Sequence, residues 1–188
     1  DSVFLNFTID EVASWVGYSL DGEANVTIGG NVTLEGLPDG AHSVVVFAND
    51  TVGNMGYSDM VYFTVDTAPP AISVVLPENR TYNTSEVPLD FTADDLFSWI
   101  GYSLDGQINV TISGNTTLTG VFDGPHHIVV YANDTAGNMG TSNTVYFSVD
   151  TTPPNITEVS QIPLENNVHP EDEVKVNATV IDAVSGVE

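Results

Sequence analysis

The stretch Trp99-Ile100-Gly101-Tyr102-Ser103-Leu104-Asp105-Gly106 returns Trp15-Val16-Gly17-Tyr18-Ser19-Leu20-Asp21-Gly22 with a single change. Each copy runs through aromatic and branched residues into Asp-Gly, the pair best suited to a type I′ hairpin turn, which needs positive φ at both central positions. Reading outward, Ala48-Asn49-Asp50-Thr51-Val52-Gly53-Asn54-Met55-Gly56 recurs at 132–140, and the Asp66-Thr67-Ala68-Pro69-Pro70 segment recurs at 150–154. The period is 84 residues, and 41 of the 66 positions in 1–66 are identical in 85–150 without insertion or deletion. A unit of that length is domain-sized, so the chain is a tandem duplication. Two consecutive prolines lack amide donors and fix φ, which suits an extended linker entering an edge strand; the Asp-Thr-X-Pro-Pro joint is the expected domain boundary.

Within the unit the apolar residues alternate with period 2, are rich in Val, Ile, Thr, Tyr and Phe, and are punctuated by turn residues. Strands are predicted near 71–76, 87–93, 99–104, 107–112, 115–119, 126–133 and 143–149, with no helix. About seven short antiparallel strands in a unit of this size predict an all-β fold of tandem immunoglobulin-like β-sandwich domains. The expected organisation is a domain at 1–66 lacking its first strand, a complete domain at 67–150, and the N-terminal part of a third, of different subtype, at 151–188. Asp1 aligns with Ser85, so the first unit has no counterpart of 66–84, and the third stops before its hairpin. Two readings stand: the chain is an excerpt of a longer repeat protein, the favoured one, or neighbouring subunits complete the open domains by donating strands.

The Pro-Pro-X-Ile opening, the Tyr-Ser-Leu-Asp-Gly hairpin and the Ala-X-Asp-X-X-Gly-Asn turn resemble the Ig-like repeats of archaeal and bacterial surface proteins over residues 1–150. Residues 151–188, with Pro170-Glu171-Asp172-Glu173-Val174-Lys175-Val176-Asn177-Ala178-Thr179-Val180, resemble the front half of another Ig-like subtype. The resemblance implies a fold and an extracellular, cell-surface location; it implies no ligand.

Composition narrows the function. Against 26 acidic residues stand two basic ones, Arg80 and Lys175, for a net charge of −24, so nucleic acid and anionic membrane surfaces would repel the chain. Charged residues are only 15% of the total, which leaves Thr, Ser, Asn and Gly to supply the polar surface. No cysteine is present, hence no disulfide framework and no thiolate metal site. Apolar runs such as Ile128 to Ala132 are strand-length, far short of the roughly 20 residues of a membrane helix, so no direct membrane insertion is expected of this segment. No signal peptide is visible, and any secretion signal or anchor is expected outside the sequence.

The most informative motif is Asn-X-Ser/Thr. It occurs at Asn6, Asn25, Asn31, Asn49, Asn79, Asn83, Asn109, Asn115, Asn133, Asn155 and Asn177, that is at 11 of 16 asparagines, where the Ser and Thr content would supply about three by chance. Attached N-linked glycans would hydrate a surface poor in lysine and arginine; the competing reading is strand-edge chemistry copied by duplication. Asp50-Thr51-Val52-Gly53-Asn54 and Asp134-Thr135-Ala136-Gly137-Asn138 read as turns rather than EF-hand loops, which need oxygen ligands spread over twelve residues. Asp94-Asp95, matched by Asp10-Glu11, forms an acidic loop cluster, and Asp10, Asp94 and Asp95 are the calcium candidates; otherwise no cofactor is expected.

His42 and His126 follow Asp-Gly at a strand start, where an Ig-like fold places a tyrosine corner, and are expected to make a structural hydrogen bond. Adjacent His127 should point to the opposite face, and His169 is isolated. Neither His42 nor His126 has a partner at metal-ligand spacing. Trp15 and Trp99 are expected in the core, with sugar binding by an exposed indole as the alternative. Val129 and Tyr131, like Val45 and Phe47, are expected to form an outward apolar stripe suited to a lateral contact or a covering glycan. No phosphate loop, nucleophile elbow or histidine pair is present, so no enzyme is expected. The leading expectation is a structural glycoprotein, a repeat subunit of a surface layer, sheath, stalk or filament that self-associates into a polymer or lattice. The alternative is an adhesin or carbohydrate-binding module of a larger secreted protein.

Overall fold

A computed structural model describes residues 2–162 and 175–182; His169 and the Pro170–Val174 stretch lie outside the described residues. All regular structure among the described residues is β, and the chain divides into two compact units, Asp1–Ala68 and Pro69–Glu188. The division falls inside the Asp-Thr-X-Pro-Pro joint.

The first unit holds β1 (Ser2–Leu5), β2 (Ala13–Leu20), β3 (Val26–Thr27), β4 (Val32–Glu35), β5 (Gly40–Asp50), β6 (Met55–Tyr57) and β7 (Val61–Val65). The second holds β8 (Ile72–Leu76), β9 (Thr81–Tyr82), β10 (Val87–Ala93), β11 (Phe97–Leu104), β12 (Val110–Ile112), β13 (Thr116–Leu118), β14 (Gly124–Asp134), β15 (Met139–Thr141) and β16 (Val145–Val149), followed by β17 (Asn155–Ile162) and β18 (Lys175–Ile181).

In the second unit a three-stranded sheet, β13-β10-β8, faces a larger one ordered β12-β11-β14-β16-β9, with β15 also on β14. Strand alternation sends Ile72, Val87, Leu89, Phe91 and Leu118 from one sheet, and Ile100, Ile128, Val130, Ala132, Phe147 and Val149 from the other, into a single core. This is the sandwich, and Val87, Leu89, Ile128, Val130, Ala132 and Val149 are completely buried in it. The first unit repeats the larger sheet as β3-β2-β5-β6 with β7 on β5, and opposes it with the pair β1-β4 alone. Its buried hydrophobic residues are correspondingly few, Leu34, Leu37 and Val65 in one cluster and Val44 besides. Beyond the second joint, β17 and β18 pair antiparallel with each other.

Several details depart from the sequence reading, the short strand β15 at Met139–Thr141 among them. The strand expected at 107–112 starts only at Val110: Gln107 N–H donates to the Leu104 carbonyl (3.0 Å), closing a β-turn, and the ladder begins at Tyr102 opposite Val110. The Thr81–Tyr82 strand, too short to show periodicity, runs parallel to β16, with Ser148 N–H donating to the Arg80 carbonyl (3.0 Å) and Asp150 N–H to the Tyr82 carbonyl (2.9 Å). Finally, the tryptophans are not in the core.

Candidate functional site

The correction at Trp15 and Trp99 follows from alternation along β11. Ile100 enters the core, with Tyr102 and Leu104 packed against it, so Trp99, Gly101 and Ser103 take the outer face. There the indole folds back over its own strand. A Cβ at position 101 would lie 2.7 Å from Trp99 Cζ2, and one at 17 would lie 2.5 Å from Trp15 Cζ2; only glycine lets the ring lie so close. The indole N–H is satisfied across the hairpin, Trp99 Nε1 donating to Thr111 Oγ1 (3.0 Å) and Trp15 Nε1 to Thr27 Oγ1 (2.9 Å). Each ring therefore remains partly exposed, with its polar edge spent and its apolar face outward.

The Asp-Gly turn does more than reverse the chain. Asp105 and Gly106 have φ of 52° and 72°, and this conformation aims the Asp105 carboxylate at the start of β14. There Asp105 Oδ1 accepts from His127 N (2.9 Å) and Oδ2 from His126 Nδ1 (2.8 Å), while His126 Nε2 donates to the Phe122 carbonyl (2.7 Å). Asp21, Ser43, His42 and Pro38 repeat this at 2.7, 2.7 and 2.8 Å. Because a carbonyl can only accept, Nε2 carries a proton, and the carboxylate favours a second on Nδ1, so both partners stabilise the imidazolium form of each ring. For His42 the Pro38 carbonyl and then Asp21 raise the pKa, and His42 in turn holds the Asp21 carboxyl below the usual carboxylate value. For His126 burial opposes the rise but is outweighed by Asp105 and Phe122. His127 takes the other face, against Tyr146 with ring centroids 6.0 Å apart.

The Asp-X-X-Gly-Asn segments are self-contained turns. Asp50 Oδ1 accepts from Val52 N (2.8 Å) and Asn54 N (2.9 Å), and Oδ2 from Asn54 Nδ2 (2.7 Å). Asp134 does the same with Gly137 N, Asn138 N and Asn138 Nδ2 at 2.6, 2.8 and 2.8 Å. Among the calcium candidates, Asp94 Oδ1 accepts from Ala71 N (2.7 Å), Asp95 Oδ1 accepts from Leu96 N (2.6 Å), and Asp10 lies on an exposed loop.

The joints carry a device that the sequence concealed. Asp39 Oδ1 accepts from both Thr67 N (3.0 Å) and Thr67 Oγ1 (2.9 Å). One period on, Asp123 Oδ1 accepts from Thr151 N (2.9 Å) and Thr151 Oγ1 (2.8 Å), and Oδ2 from Thr152 Oγ1 (2.7 Å). These donors, Thr152 first, hold the Asp123 carboxyl below its ordinary value. On the far side of the prolines Ala71 is held by Asp94 through the N–H donated to Oδ1 and a return bond from Asp94 N to the Ala71 carbonyl (3.3 Å). The invariant spacing of 28 between Asp39 and Thr67 was the available signal.

The sequons divide by environment. Asn6, Asn25, Asn31, Asn79, Asn83, Asn109, Asn115, Asn155 and Asn177 are exposed. Asn31 and Asn115 nonetheless serve the fold, their Oδ1 atoms accepting from Phe7 N and Phe91 N at 3.1 Å in both units, and Asn31 Nδ2 donates to Asn6 Oδ1 (2.7 Å). Asn49 and Asn133 are half-buried between strands, and their Oδ1 atoms are enclosed without a hydrogen-bond partner. The stripe of Val45, Phe47, Val129 and Tyr131 is half-buried, less open than expected, and Phe47 is partly covered by Tyr57, 6.4 Å away between ring centroids.

These features define a class: tandem immunoglobulin-like β-sandwich domains. The model of the bacterial Ig-like domain (group 3) matches residues 30–96, a stretch that straddles the first joint. Halomucin of Haloquadratum walsbyi (strain DSM 16790 / HBSQ001) is 31% identical over 160 residues, covering 78% of this chain and 2% of that protein. Among solved structures, the fibronectin(III)-like modules of Clostridium thermocellum CbhA match with 17% identity and a TM-score of 0.45, covering 79% of this chain and 85% of theirs. A 1.5-MDa bacterial ice-binding adhesin matches with 13% identity and a TM-score of 0.43, covering 84% of this chain and 62% of its own. The chain is thus built of tandem Ig-like domains, and it spans only a small part of its relative's length. No helix among the described residues is long and apolar enough to cross a membrane.

Proposed function

We propose that the chain is a spacer segment of an extracellular, N-glycosylated structural protein, in which Ig-like units are strung in series to build a surface layer, sheath, stalk or filament. The observation that carries this reading is the clasp at the joints. In each unit a carboxylate, Asp39 or Asp123, grips the threonine by which the chain leaves the sandwich, and Asp94 grips the residue by which it enters the next. A linker gripped at its ends and stiffened by two prolines has few conformations to lose, as a spacer requires. Near-identical loops in both repeats support the same reading, because a recognition module concentrates variation in one loop set. Its work is mechanical, without catalysis, and its partners are further copies and its own glycans.

Imaging of native material tests it. A regular polymer or lattice is the expected outcome; isolated flexible rods would reject the structural role in favour of adhesion.

A further inference from the structure

We propose that Asn25 and Asn109 are glycan attachment sites at which the first sugar rests on the neighbouring tryptophan, so that Trp15 and Trp99 are platforms for a covalently attached glycan. The proposal rests on the glycoprotein reading above and singles out two of the sequons. Both tryptophans of the chain are at these two places. In the hairpin ladder Gly101 stands opposite Thr111, and Gly17 opposite Thr27. Thr111 and Thr27 are the hydroxyl residues of the sequons that begin at Asn109 and Asn25, and they are the residues that receive the indole N–H bonds. The asparagine two positions earlier, Asn109 or Asn25, lies in the loop that leads into β12 or β3. It is exposed, and none of the hydrogen bonds of the fold uses its amide.

Other sequons lack this combination. Asn31 and Asn115 hold backbone amides, Asn6 accepts from Asn31, and Asn49 and Asn133 are half-buried with their Oδ1 atoms enclosed. At the hairpin the geometry is otherwise unexplained: a glycine is kept at 17 and 101 so that an indole can lie against the outside of a sheet, where it stays partly exposed. The C–H face of a pyranose is the complement of such a surface, being apolar on the ring face and polar at its rim.

The attachment itself is a group transfer from a lipid-linked sugar phosphate, catalysed by the host's transferase. Asn109 Nδ2 forms a bond to the anomeric carbon, the bond from that carbon to the phosphate oxygen breaks, Nδ2 gives up one proton, and the lipid phosphate leaves.

The full 188-residue chain, made in a host that N-glycosylates, would be mapped by glycopeptide mass spectrometry and then by hydroxyl-radical footprinting, which reads Trp15 and Trp99 in separate peptides. Occupancy at Asn25 and Asn109 is expected, with Asn109→Gln raising oxidation of Trp99 several-fold and leaving Trp15 unchanged. Enzymatic deglycosylation of the unsubstituted protein should expose both rings together, which covers the case in which the variant folds poorly. Glycan at other sequons with Asn25 and Asn109 bare would overturn the proposal and leave the glycoprotein reading intact; bare asparagine throughout would remove both. Occupied sites with unchanged tryptophan oxidation would also overturn it, as would free oligosaccharide binding at Trp99 in protein bare at Asn109.

Discussion

The two units share most of their residues yet differ in how much of the same side-chain set they bury. Val130 and Ala132 on β14 are fully buried, whereas their counterparts Val46 and Ala48 on β5 are half-exposed. The cause is β8, which lies beside β10 in the second unit and covers that end of the larger sheet; the first unit has β1 paired with β4 and nothing beyond. In its place Phe7, Ile9, Val46, Ala48, Gly56 and Tyr57 line an open groove. An Ig-like pattern of alternating residues specifies which face is apolar, but a core needs both layers, and sequence identity does not supply the second.

Twin substitutions sharpen this contrast. Leu89 and Leu5 are equivalent, the first completely buried and the second partly. Leu89→Ala should cost about 2–5 kcal/mol, as for a core leucine, and Leu5→Ala less than about 1.5 kcal/mol, since it has little cavity to leave. Hydrogen exchange resolved by unit measures both, and equal losses would break the comparison. A smaller effect is expected at Gly140 and Gly56. A Cβ at 140 would run into the Pro70 carbonyl, which cannot yield without moving the start of the second unit, whereas one at 56 finds only the Ala48 carbonyl at 4.0 Å. Gly140→Ala should destabilise by about 1–3 kcal/mol and Gly56→Ala by only a few tenths. Matching thermal shifts for the pair would contradict the role given to β8.

Much of this was readable in advance, and the limits have physical reasons. Period-2 alternation located β8, β10, β13, β14 and β16 because those strands each bury one face. The tryptophans were misplaced because alternation fixes opposite faces but not which face is inside; Ile100, one residue on, was the better core candidate, and Gly101 was the clue that something lay against the strand. The Asp39 and Asp123 clasps were not read because their partners are 28 residues away, a spacing whose recurrence in both copies was the signal. The histidine at the strand start was expected to form a structural hydrogen bond and makes two, the second to a carboxylate that the turn motif had been credited with only for its conformation.

That histidine gives the smallest effect and the one shared by both units. His42 and His126 have pKa values raised above the ordinary 6.5, so each contributes stability that is complete below 6.5 and disappears as pH rises through the folded value. Asp21 and Asp105 are held below the ordinary 3.8, so their contribution is complete above 3.8 and disappears as pH falls through the folded value. The pairs are therefore fully effective between about pH 3.8 and 6.5. Neutralising other carboxylates on so acidic a chain relieves repulsion and tilts the whole stability curve toward acid, so the raw profile would not isolate the pair. The difference between the parent and a His→Gln variant does, because the tilt is common to both. The Tm gap between parent and His126→Gln should be largest within that window and shrink as pH rises through the folded histidine value and the parent's ring loses its charge. His42→Gln should behave alike, with one distinction: in the second unit His127 Nδ1 also stands 3.6 Å from Asp105 Oδ1, where the first unit has Ser43. His127→Ser should make the second unit titrate as the first does, and a Tm gap independent of pH in either unit would show that the rings are held neutral.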